Sequence, residues 1–354
     1  MGEAFDTKNT YDAILVLSFG GPEGMDDVMP FLRNVTRGKN VPDERLLQVA
    51  KHYELFGGVS PINDQNRQLI KILIEELKFR EINLPVFWGN RNWKPYLLDA
   101  LIEMSNAGVS KALAFVTSAY SSYSSCRQYL EDIERAQKDF KEKYPERKVP
   151  EIDKIRPFFN HPGFISANEE RLKECLFQFP NPNLVHVAFV AHSLPVSMAD
   201  ECKYESELNE VASILADRLK LKSWKVVFQS RSGPPSQKWL EPDILDHLRE
   251  IEAEGYLEVV VAPIGFVSDH MEVKFDLDIE AAELCKELEI KMLRAKTAGL
   301  HPHFIFMICD LIGERLNGEP AEKEGNFPIS PDVCPANCCP RGATASPGRP
   351  GLHP

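Results

Sequence analysis

The 354-residue sequence predicts an α/β protein built from two similar domains. Short runs rich in β-branched and aromatic residues are apolar almost without a break, as expected of parallel strands covered on both faces. Longer segments with helical periodicity separate these runs, and such alternation is typical of parallel sheets with right-handed crossovers. The runs also end in small or polar loops, which fall into two sets of three along the chain.

The spacing of the predicted strands sets the plan of each domain. Between them lie segments with helical periodicity, such as NRQLIKILIEELKF (66–79) and YLLDALIEMSNAG (96–108). The second of these ends in Gly108, a suitable residue to end a helix. The predicted strands are AILVLSF (13–19), LPVFWGN (84–90), KALAFVT (111–117), VHVAFVA (185–191), KVVFQS (225–230) and LEVVVAPI (257–264).

The loops after these strands predict where a ligand binds, because open α/β sheets bind ligands beyond the carboxyl ends of their strands. The first three strands run into SFGGPEG, WGNRNW and TSAYSSYS, and the last three into AHSLP, QSRSGPP and GFVSDH. We therefore expect two related domains that face one cleft. The predicted boundaries are 11–155 and 156–318 for the domains, 155–164 for the crossover, and 319–354 for a Cys-rich tail whose last stretch, RGATASPGRPGLHP, is disordered.

Composition and motifs exclude several classes of protein. A net charge of −12 argues against nonspecific nucleic-acid binding. No apolar run approaches the ~20 residues that span a bilayer, and the N-terminus lacks the pattern of a secretory signal or an Arg-rich transit peptide. We expect a soluble, cytoplasmic protein with at most weak membrane association. Without GxxxxGK[ST], a strand followed by GxGxxG, or GxSxG, neither NTP hydrolysis nor classical dinucleotide binding is indicated.

His192 is the first candidate for chemistry. It lies at the carboxyl end of the apolar run VHVAFVA, where a sheet presents residues to a cleft. Imidazole titrates near neutral pH, so a histidine at this position suits proton abstraction or metal ligation. A partly buried histidine that only bonds to neighbouring backbone is the alternative.

An acidic row is the second candidate. Glu272, Asp276 and Glu280 are spaced four residues apart, which places them on one face of a helix. Like charges at this spacing repel by a few tenths of a kcal/mol per pair. A solvated helix face is one interpretation. Apolar residues between them, and Asp269 and His270 just before them, favour carboxylates in a cleft that a proton or a divalent metal relieves.

Three further groups are weaker candidates. The HPH motif (301–303) is interpreted as a surface loop rather than a metal pair. Three cysteines of the tail lie within six residues, and in a reducing cytosol such a cluster favours a metal site over disulfides. Aromatic residues at strand ends could line a pocket for a flat ligand, although each also suits the core. The tail cysteines are Cys334, Cys338 and Cys339; the aromatic residues are Phe19, Trp88, Trp93, Trp239 and Phe266.

The chain resembles ferrochelatases from about Tyr11 to Leu316. Sequence blocks that follow one another in the family's order carry the resemblance across nearly the whole chain. Their sequences are most similar to those of the actinobacterial-type branch of the family. The blocks are LSFGGPEG (17–24), FGGVSPIN (56–63), FWGNRNWKP (87–95), TSAYSSYSSCRQY (117–129), AHSLP (191–195), QSRSGPP (229–235), WLEPD (239–243) and PIGFVSDHMEV (263–273).

The resemblance implies two Rossmann-like domains with a porphyrin cleft between them. It implies a lyase of haem biosynthesis that inserts Fe(II) into a porphyrin and releases two pyrrole protons. The actinobacterial-type branch is linked to coproporphyrin III, which would give coprohaem. Protoporphyrin IX as substrate, a cobalt or nickel chelatase for another tetrapyrrole, and a non-catalytic porphyrin or haem carrier stay open, as do partner enzymes of the haem pathway.

The resemblance also implies roles for individual residues. His192 and Glu272 are the expected catalytic residues and Fe(II) ligands. Phe19 stands where some relatives have a tyrosine that can ligate iron, a role that a hydrocarbon ring lacks. The metal route would comprise Asp269, His270, Asp276 and Glu280; the porphyrin-binding residues would be Phe19, Arg37, Ser60, Arg91, Gln229, Ser230 and Trp239, with Arg231 a further candidate cation for substrate carboxylates.

The cysteines have a counterpart in the family as well. Many members hold a [2Fe–2S] cluster with three C-terminal cysteines and one from the first domain, and four thiolates are what such a cluster needs. Here DVCPANCCP supplies Cys334, Cys338 and Cys339, and SSYSSCRQY supplies Cys126. Free or zinc-bound thiols are the alternative.

Overall fold

The computed structural model describes residues 11–39, 41–233 and 236–342. The first half contains β1 (Ala13–Ser18), α1 (Met25–Val35), α2 (Asp43–Glu54), α3 (Ile62–Phe79), β2 (Val86–Asn90), α4 (Leu97–Asn106), β3 (Lys111–Val116), a first π-helix (Tyr123–Arg127), α5 (Gln128–Lys143), β4 (Glu151–Lys154) and α6 (Pro162–Leu176).

The second half repeats this plan. Its elements are a 3₁₀ turn (Pro182–Leu184), β5 (His186–His192), α7 (Val196–Ala199), α8 (Tyr204–Leu219), β6 (Trp224–Gln229), α9 (Ile244–Ala253), β7 (Glu258–Ala262), a second π-helix (Val273–Ala281), α10 (Ala282–Glu287), β8 (Lys291–Arg294) and α11 (Pro302–Asn317).

Each half forms one four-stranded, all-parallel sheet flanked by helices, which confirms the predicted fold class. The strand order is β2-β1-β3-β4 in the first sheet and β6-β5-β7-β8 in the second, so the two sheets have the same topology. All six predicted strands are present. The sequence interpretation missed β4 and β8, which are edge strands of only four residues with the polar sequences EIDK and KMLR.

The central strands are buried because both of their faces are covered. Along β1, alternate side chains enter two different core clusters: Ile14 and Val16 enter one, and Leu15 and Leu17 the other. Residues of β5 enter the same first cluster, so a single apolar core joins the two halves. Fully burying each such aliphatic side chain contributes about 1.5–3 kcal/mol.

The last helix of each half packs on the other half, an arrangement called here the helix exchange. Helix α6 follows β4 but packs on α8 and β7, and α11 follows β8 but packs on α3 and on α6. Both helices begin with a His-Pro pair. The Nδ1 atoms of His161 and His301 each accept a hydrogen bond from the N–H two residues on, at 3.1 and 3.3 Å, and proline follows at the first helical position. The HPH motif is therefore a helix start and not the predicted surface loop.

The tail contacts both halves and has no helix or strand between residues 318 and 342. The Nδ2 of Asn160 donates to the Phe327 carbonyl at 3.3 Å, and Arg315 pairs with Asp332 at 3.1 Å. The stretch predicted to be disordered comprises residues 341–354, of which 343–354 lie outside the described residues. None of the helices in the described ranges has the length and hydrophobicity that crossing a bilayer requires. The domain boundaries stay a prediction.

Candidate active site

Phe19 and His192 occupy equivalent positions at the carboxyl ends of the two central strands. The residue before Phe19 pairs with Asn90 of β2, and the residue before His192 pairs with Phe228 of β6. The N–H of each partner then donates to a proline carbonyl, at 2.7 and 2.9 Å. The same backbone position thus carries an aromatic ring, 37% exposed, in one half and an imidazole in the other.

His192 is oriented by hydrogen bonds on one side and faces a carboxylate on the other. Its Nδ1 donates to the Ser193 carbonyl at 2.5 Å, and the Tyr204 hydroxyl donates to the His192 carbonyl at 3.1 Å. This leaves Nε2 directed at Oε2 of Glu272, 3.6 Å away. Tyr204 was not predicted as a site residue, because it lies twelve residues further along the chain, at the start of α8.

Mutual attraction favours the charged forms of His192 and Glu272. Burial lowers the pKa of His192, but the Glu272 carboxylate and the Ser193 carbonyl outweigh it and raise the pKa above its usual value. Burial raises the pKa of Glu272, but His192, His270 and Lys39 outweigh it and lower the pKa to about 2. The side chains are 31% and 49% exposed, so water in the cleft screens part of this attraction.

The acidic row lies on a π-helix instead of the α-helix assumed from its spacing. A π-helix bonds residue i to i+5, so one turn holds more residues than the 3.6 of an α-helix. Positions four apart therefore stay closer to one face. Glu272 immediately precedes the second π-helix, and Asp276 and Glu280 follow within it.

Asp276 is the part-buried member of the row. Its Oδ2 accepts hydrogen bonds from the Gln229 amide at 3.1 Å and from the Ser230 hydroxyl. Ser230 has φ of 60°, a left-handed conformation that is uncommon outside glycine and often marks functional sites. Burial, with repulsion from Glu272 and Glu280, raises the pKa of Asp276 to about 7.

Glu280 ends the row at the protein surface. Its side chain is largely exposed to solvent. The part of it that is buried, together with the nearby charges of Asp243 and Glu283, raises its pKa. Carboxylates that repel one another are relieved by a proton or a cation. The row thus runs from the cleft to solvent and is suited to attract a divalent metal ion.

Asp269 is paired with an arginine outside the row, whereas His270 contacts the first member of the row. Oδ1 of Asp269 accepts from Nη1 of Arg294 at 2.9 Å, so an arginine already balances this carboxylate. Nδ1 of His270 accepts from the backbone N–H of Glu272 at 3.2 Å and so helps to position that residue. Burial and His192 lower the pKa of His270. Their roles in a metal route stay a prediction.

Helix α2 of the first half lies over the second π-helix, a contact that the sequence did not indicate. The rings of His52 and Phe275 stack at 3.7 Å between centroids with an angle of 8°. The next residue, Tyr53, is buried. Its burial and, to a smaller extent, the negative charge of Glu272 raise its pKa. Both halves therefore contribute to the surroundings of Glu272.

The first-half residues predicted to bind porphyrin are already engaged with the protein. The buried guanidinium of Arg91 pairs with Asp132 and lies 5.8 Å from the Phe19 ring centroid. Ser60 is buried beside the glycine turn after β1. Arg37 is half-buried, and its Nη2 donates to Oδ1 of Asn34 at 2.8 Å. Porphyrin binding by these residues stays a prediction.

The second-half residues predicted to bind porphyrin carry two orphaned polar atoms. Trp239 forms a backbone bridge with Pro195, three residues after His192. Its Nε1 and the Oε1 of Gln229 are both buried without a hydrogen-bond partner. A buried polar group left unpaired costs about 1–3 kcal/mol, so a ligand that supplied partners would be favoured here.

The four predicted cluster cysteines lie close together in space. Cys126, buried in the first π-helix, is in hydrogen-bonding contact with Cys334, and this contact and burial raise the pKa of Cys126. Cys334 contacts Cys338, whose Sγ is 3.4 Å from that of Cys339. Within the described ranges, no group of three or more His, Cys, Asp or Glu side chains is arranged to hold a metal ion.

Two solved chelatase structures share this fold. SirB from Bacillus subtilis, solved with Fe3+, matches with a TM-score of 0.54 at 14% identity, covering 87% of this chain and 97% of its own. The sirohydrochlorin chelatase SirB from Bacillus subtilis subspecies spizizenii, solved in complex with cobalt, gives 0.51 at 12% identity over 88% and 97%. At these identities the likeness shows the fold alone, which is the two-domain chelatase fold.

Sequence comparison narrows the class. The ferrochelatase family model matches residues 11–316. A ferrochelatase of Rhodopirellula baltica is 52% identical over 347 residues, 96% of this chain and 97% of its own length. A coproporphyrin III ferrochelatase of Streptomyces coelicolor is 46% identical over 355 residues, 94% of each chain. The chain therefore belongs to the ferrochelatase family and is a lyase, and the resemblance to the actinobacterial-type branch is confirmed.

Proposed function

We propose that this protein inserts Fe(II) into coproporphyrin III to give coprohaem in haem biosynthesis. The observation that carries the proposal is the His192–Glu272 pair at the carboxyl end of β5, from which the acidic row continues along the second π-helix. Relatives named coproporphyrin III ferrochelatases support the choice of substrate.

The arrangement fits the two demands of the reaction. Two pyrrole N–H protons must leave the macrocycle, and a metal ion must arrive without its water. With Nδ1 held by the Ser193 carbonyl, Nε2 of His192 is the nitrogen available to accept a proton. Carboxylates with one imidazole are ligands from which Fe(II) can be released again.

Metal arrival and proton removal are coupled through Glu272. In the resting pair the Glu272 carboxylate favours the protonated form of His192. When Fe(II) binds Glu272, that attraction would weaken, the pKa of His192 would fall, its Nε2 proton would pass to water, and the freed Nε2 could then accept a proton from a pyrrole N–H. Asp276 and Glu280 would pass Fe(II) from solvent to Glu272, and a pKa of about 7 lets Asp276 exchange protons near neutral pH.

The test is anaerobic Fe(II) insertion into coproporphyrin III and protoporphyrin IX in parallel, followed by absorbance. We expect a kcat/KM for coproporphyrin III at least tenfold higher. Preference for protoporphyrin IX would keep the chemistry and overturn the substrate. Tight porphyrin binding with no insertion of either would indicate a carrier instead.

We also propose that Cys126, Cys334, Cys338 and Cys339 hold a [2Fe–2S] cluster. The donor set fits, since the cluster spreads four thiolates over two irons, two on each, and does not need three ligands around one ion. When bound, such a cluster supplies one-electron redox chemistry.

The cluster proposal is tested by absorbance, iron and sulfide analysis of protein purified without oxygen. Cys126→Ser should remove the visible cluster absorption. Cys285→Ser, which removes a buried thiol of the second half, should keep it. A cluster spectrum that survives Cys126→Ser would disprove the four-ligand set.

We further propose a cytoplasmic location with at most weak membrane association, and domains divided at residues 155/156 and 318/319. Recovery mainly in the membrane pellet after high-salt washing would contradict the first part of this proposal.

A further inference from the structure

The last strand of each sheet, β4 in the first and β8 in the second, ends in a cation at an equivalent position. Lys154 ends β4 and pairs with Ala114, and Arg294 ends β8 and pairs with Val261. In both cases the N–H of the following residue donates to the carbonyl of that partner, at 2.9 Å. Each cationic side chain also donates to the carbonyl of the residue after it, at 2.8 Å for Lys154 and 3.1 Å for Arg294.

The two cations differ in their anionic partners. Arg294 pairs with Asp278 of the second π-helix and with Asp269 before it. Lys154 lies near the Cys126 thiol of the first π-helix, and its positive charge acts to lower the pKa of both Cys126 and Cys334. Among the ion pairs of the described residues, none joins Lys154 to a carboxylate.

A buried ammonium without an anion is costly. Lys154 is only 8% exposed, and a charge removed from water is retained in a fold where another charge or strong hydrogen bonds compensate it. Thiolates bound to a [2Fe–2S] core form an anionic centre, and one-electron reduction makes that centre more negative. With such a centre bound, the cysteine group would supply the negative charge near Lys154 that two aspartates supply near Arg294.

We propose that Lys154 is the counter-ion of the four-cysteine centre and favours the reduced, more negative form of the cluster. The inference rests on the proposed cluster and assigns Lys154 a positioning and electrostatic role, not one in iron insertion. Removing its charge should shift the reduction potential of the cluster to more negative values.

The experiment is a mediated one-electron titration with dithionite of full-length protein, followed by absorbance and electron paramagnetic resonance. Lys154→Met should shift the midpoint potential to more negative values, and Lys154→Arg should stay near the wild type. Lys71→Met is the matched control, because it removes the same charge from the exposed face of α3 and should leave the potential unchanged.

The outcomes separate this inference from the cluster proposal. An unchanged potential in Lys154→Met overturns the inference while the cluster stands. Loss of the cluster from Lys154→Met with retention by Lys154→Arg supports it, whereas loss from both variants overturns it, because packing and not charge would then matter. Wild-type protein without iron, sulfide or cluster absorption overturns both proposals.

Discussion

The two halves of the molecule share one backbone plan and differ in the chemistry placed on it. Each has the same strand order, a π-helix after its third strand and a cation ending its edge strand. At the end of the central strand the first half places Phe19 and the second places His192. The fold therefore supplies equivalent positions, and side-chain chemistry alone decides which half is apolar and which can ionise.

The π-helices show the same division. The first is five residues long and carries Cys126, which contacts the tail cysteines. The second is nine residues long and carries two members of the acidic row. Both follow the third strand of their sheet, so a single backbone device presents thiols in one half and carboxylates in the other.

The sharpest way to break the comparison is to truncate both central-strand positions. His192→Ala should lower kcat for iron insertion by about 10²–10⁴-fold, the usual contribution of a general base. Phe19→Ala should lower kcat by less than tenfold, because a hydrocarbon ring neither takes a proton nor ligates iron. Porphyrin binding, followed by fluorescence quenching, should survive in both. Equal losses of kcat in the two variants would show that both positions take part in the chemistry.

The edge-strand cation of the second half offers the next largest effect, this time on stability. Arg294→Met leaves Asp269 without its part-buried partner and Asp278 with Lys274 alone, and should lower the free energy of unfolding by about 3 kcal/mol. Urea denaturation measures this. Arg249→Met, which breaks a pair exposed to solvent, is the control and should cost less than about 0.5 kcal/mol. Equal costs would mean that the Arg294 network is not needed.

A third test asks whether the acidic row serves the metal. Asp276→Asn should raise KM for Fe(II) about tenfold above pH 7, with little change in kcat, because a neutral amide binds the cation less well. In the wild type, the pKa of about 7 means that Asp276 loses its proton as pH rises, so KM should fall through that pH; in the variant KM should be flat.

The control for this test lies beside the first π-helix. Glu131 accepts a hydrogen bond from Tyr123 there, and Glu131→Gln should leave KM for Fe(II) unchanged. The metal role of the row would be refuted by a pH-dependent KM that persists in Asp276→Asn.

The smallest effect concerns a histidine pair of the second half, formed by His186 of β5 and His247 of α9. The equivalent strand of the first half, β1, begins with apolar residues instead. Nε2 of His186 lies 2.9 Å from Nε2 of His247, and burial lowers the pKa of both, to about 3 for His186. Below the ordinary pKa near 6.5, the unfolded chain binds protons that the native state does not, so stability falls as pH falls.

For His186 alone this loss is about 0.7 kcal/mol between pH 7 and pH 6. Urea unfolding at the two pH values measures it, and His186→Gln should show a smaller decrease than the wild type. An equal decrease in the variant would show that other groups cause the acid sensitivity.

The sequence predicted the centre of the fold better than its edges. Central strands are recognisable because both faces are buried and their residues are apolar throughout. The edge strands EIDK and KMLR have only four residues each, and at least two of the four are charged, so they escaped prediction, and with them the cations Lys154 and Arg294. The exchange of α6 and α11 between halves depends on tertiary packing that periodicity does not encode.

The site follows the same rule. His192 and Glu272 were identified from residue type, position and resemblance, and they do lie together. The π-helix was not predictable, because the spacing of Glu272, Asp276 and Glu280 suits an α-helix as well. The ion pair of Asp269 with Arg294 and the stacking of His52 on Phe275 join distant segments of the chain, so no local pattern could reveal them.

The helix exchange has a consequence for how such a chain could be assembled at all. Each half lends its last helix to the other and receives one in return, as partners do in a domain-swapped dimer. A half-length chain with this plan would be complete only as a symmetric pair. In this protein the covalent segment at 155–161 joins the two halves within one chain, so the two halves need not be identical and each can carry its own chemistry.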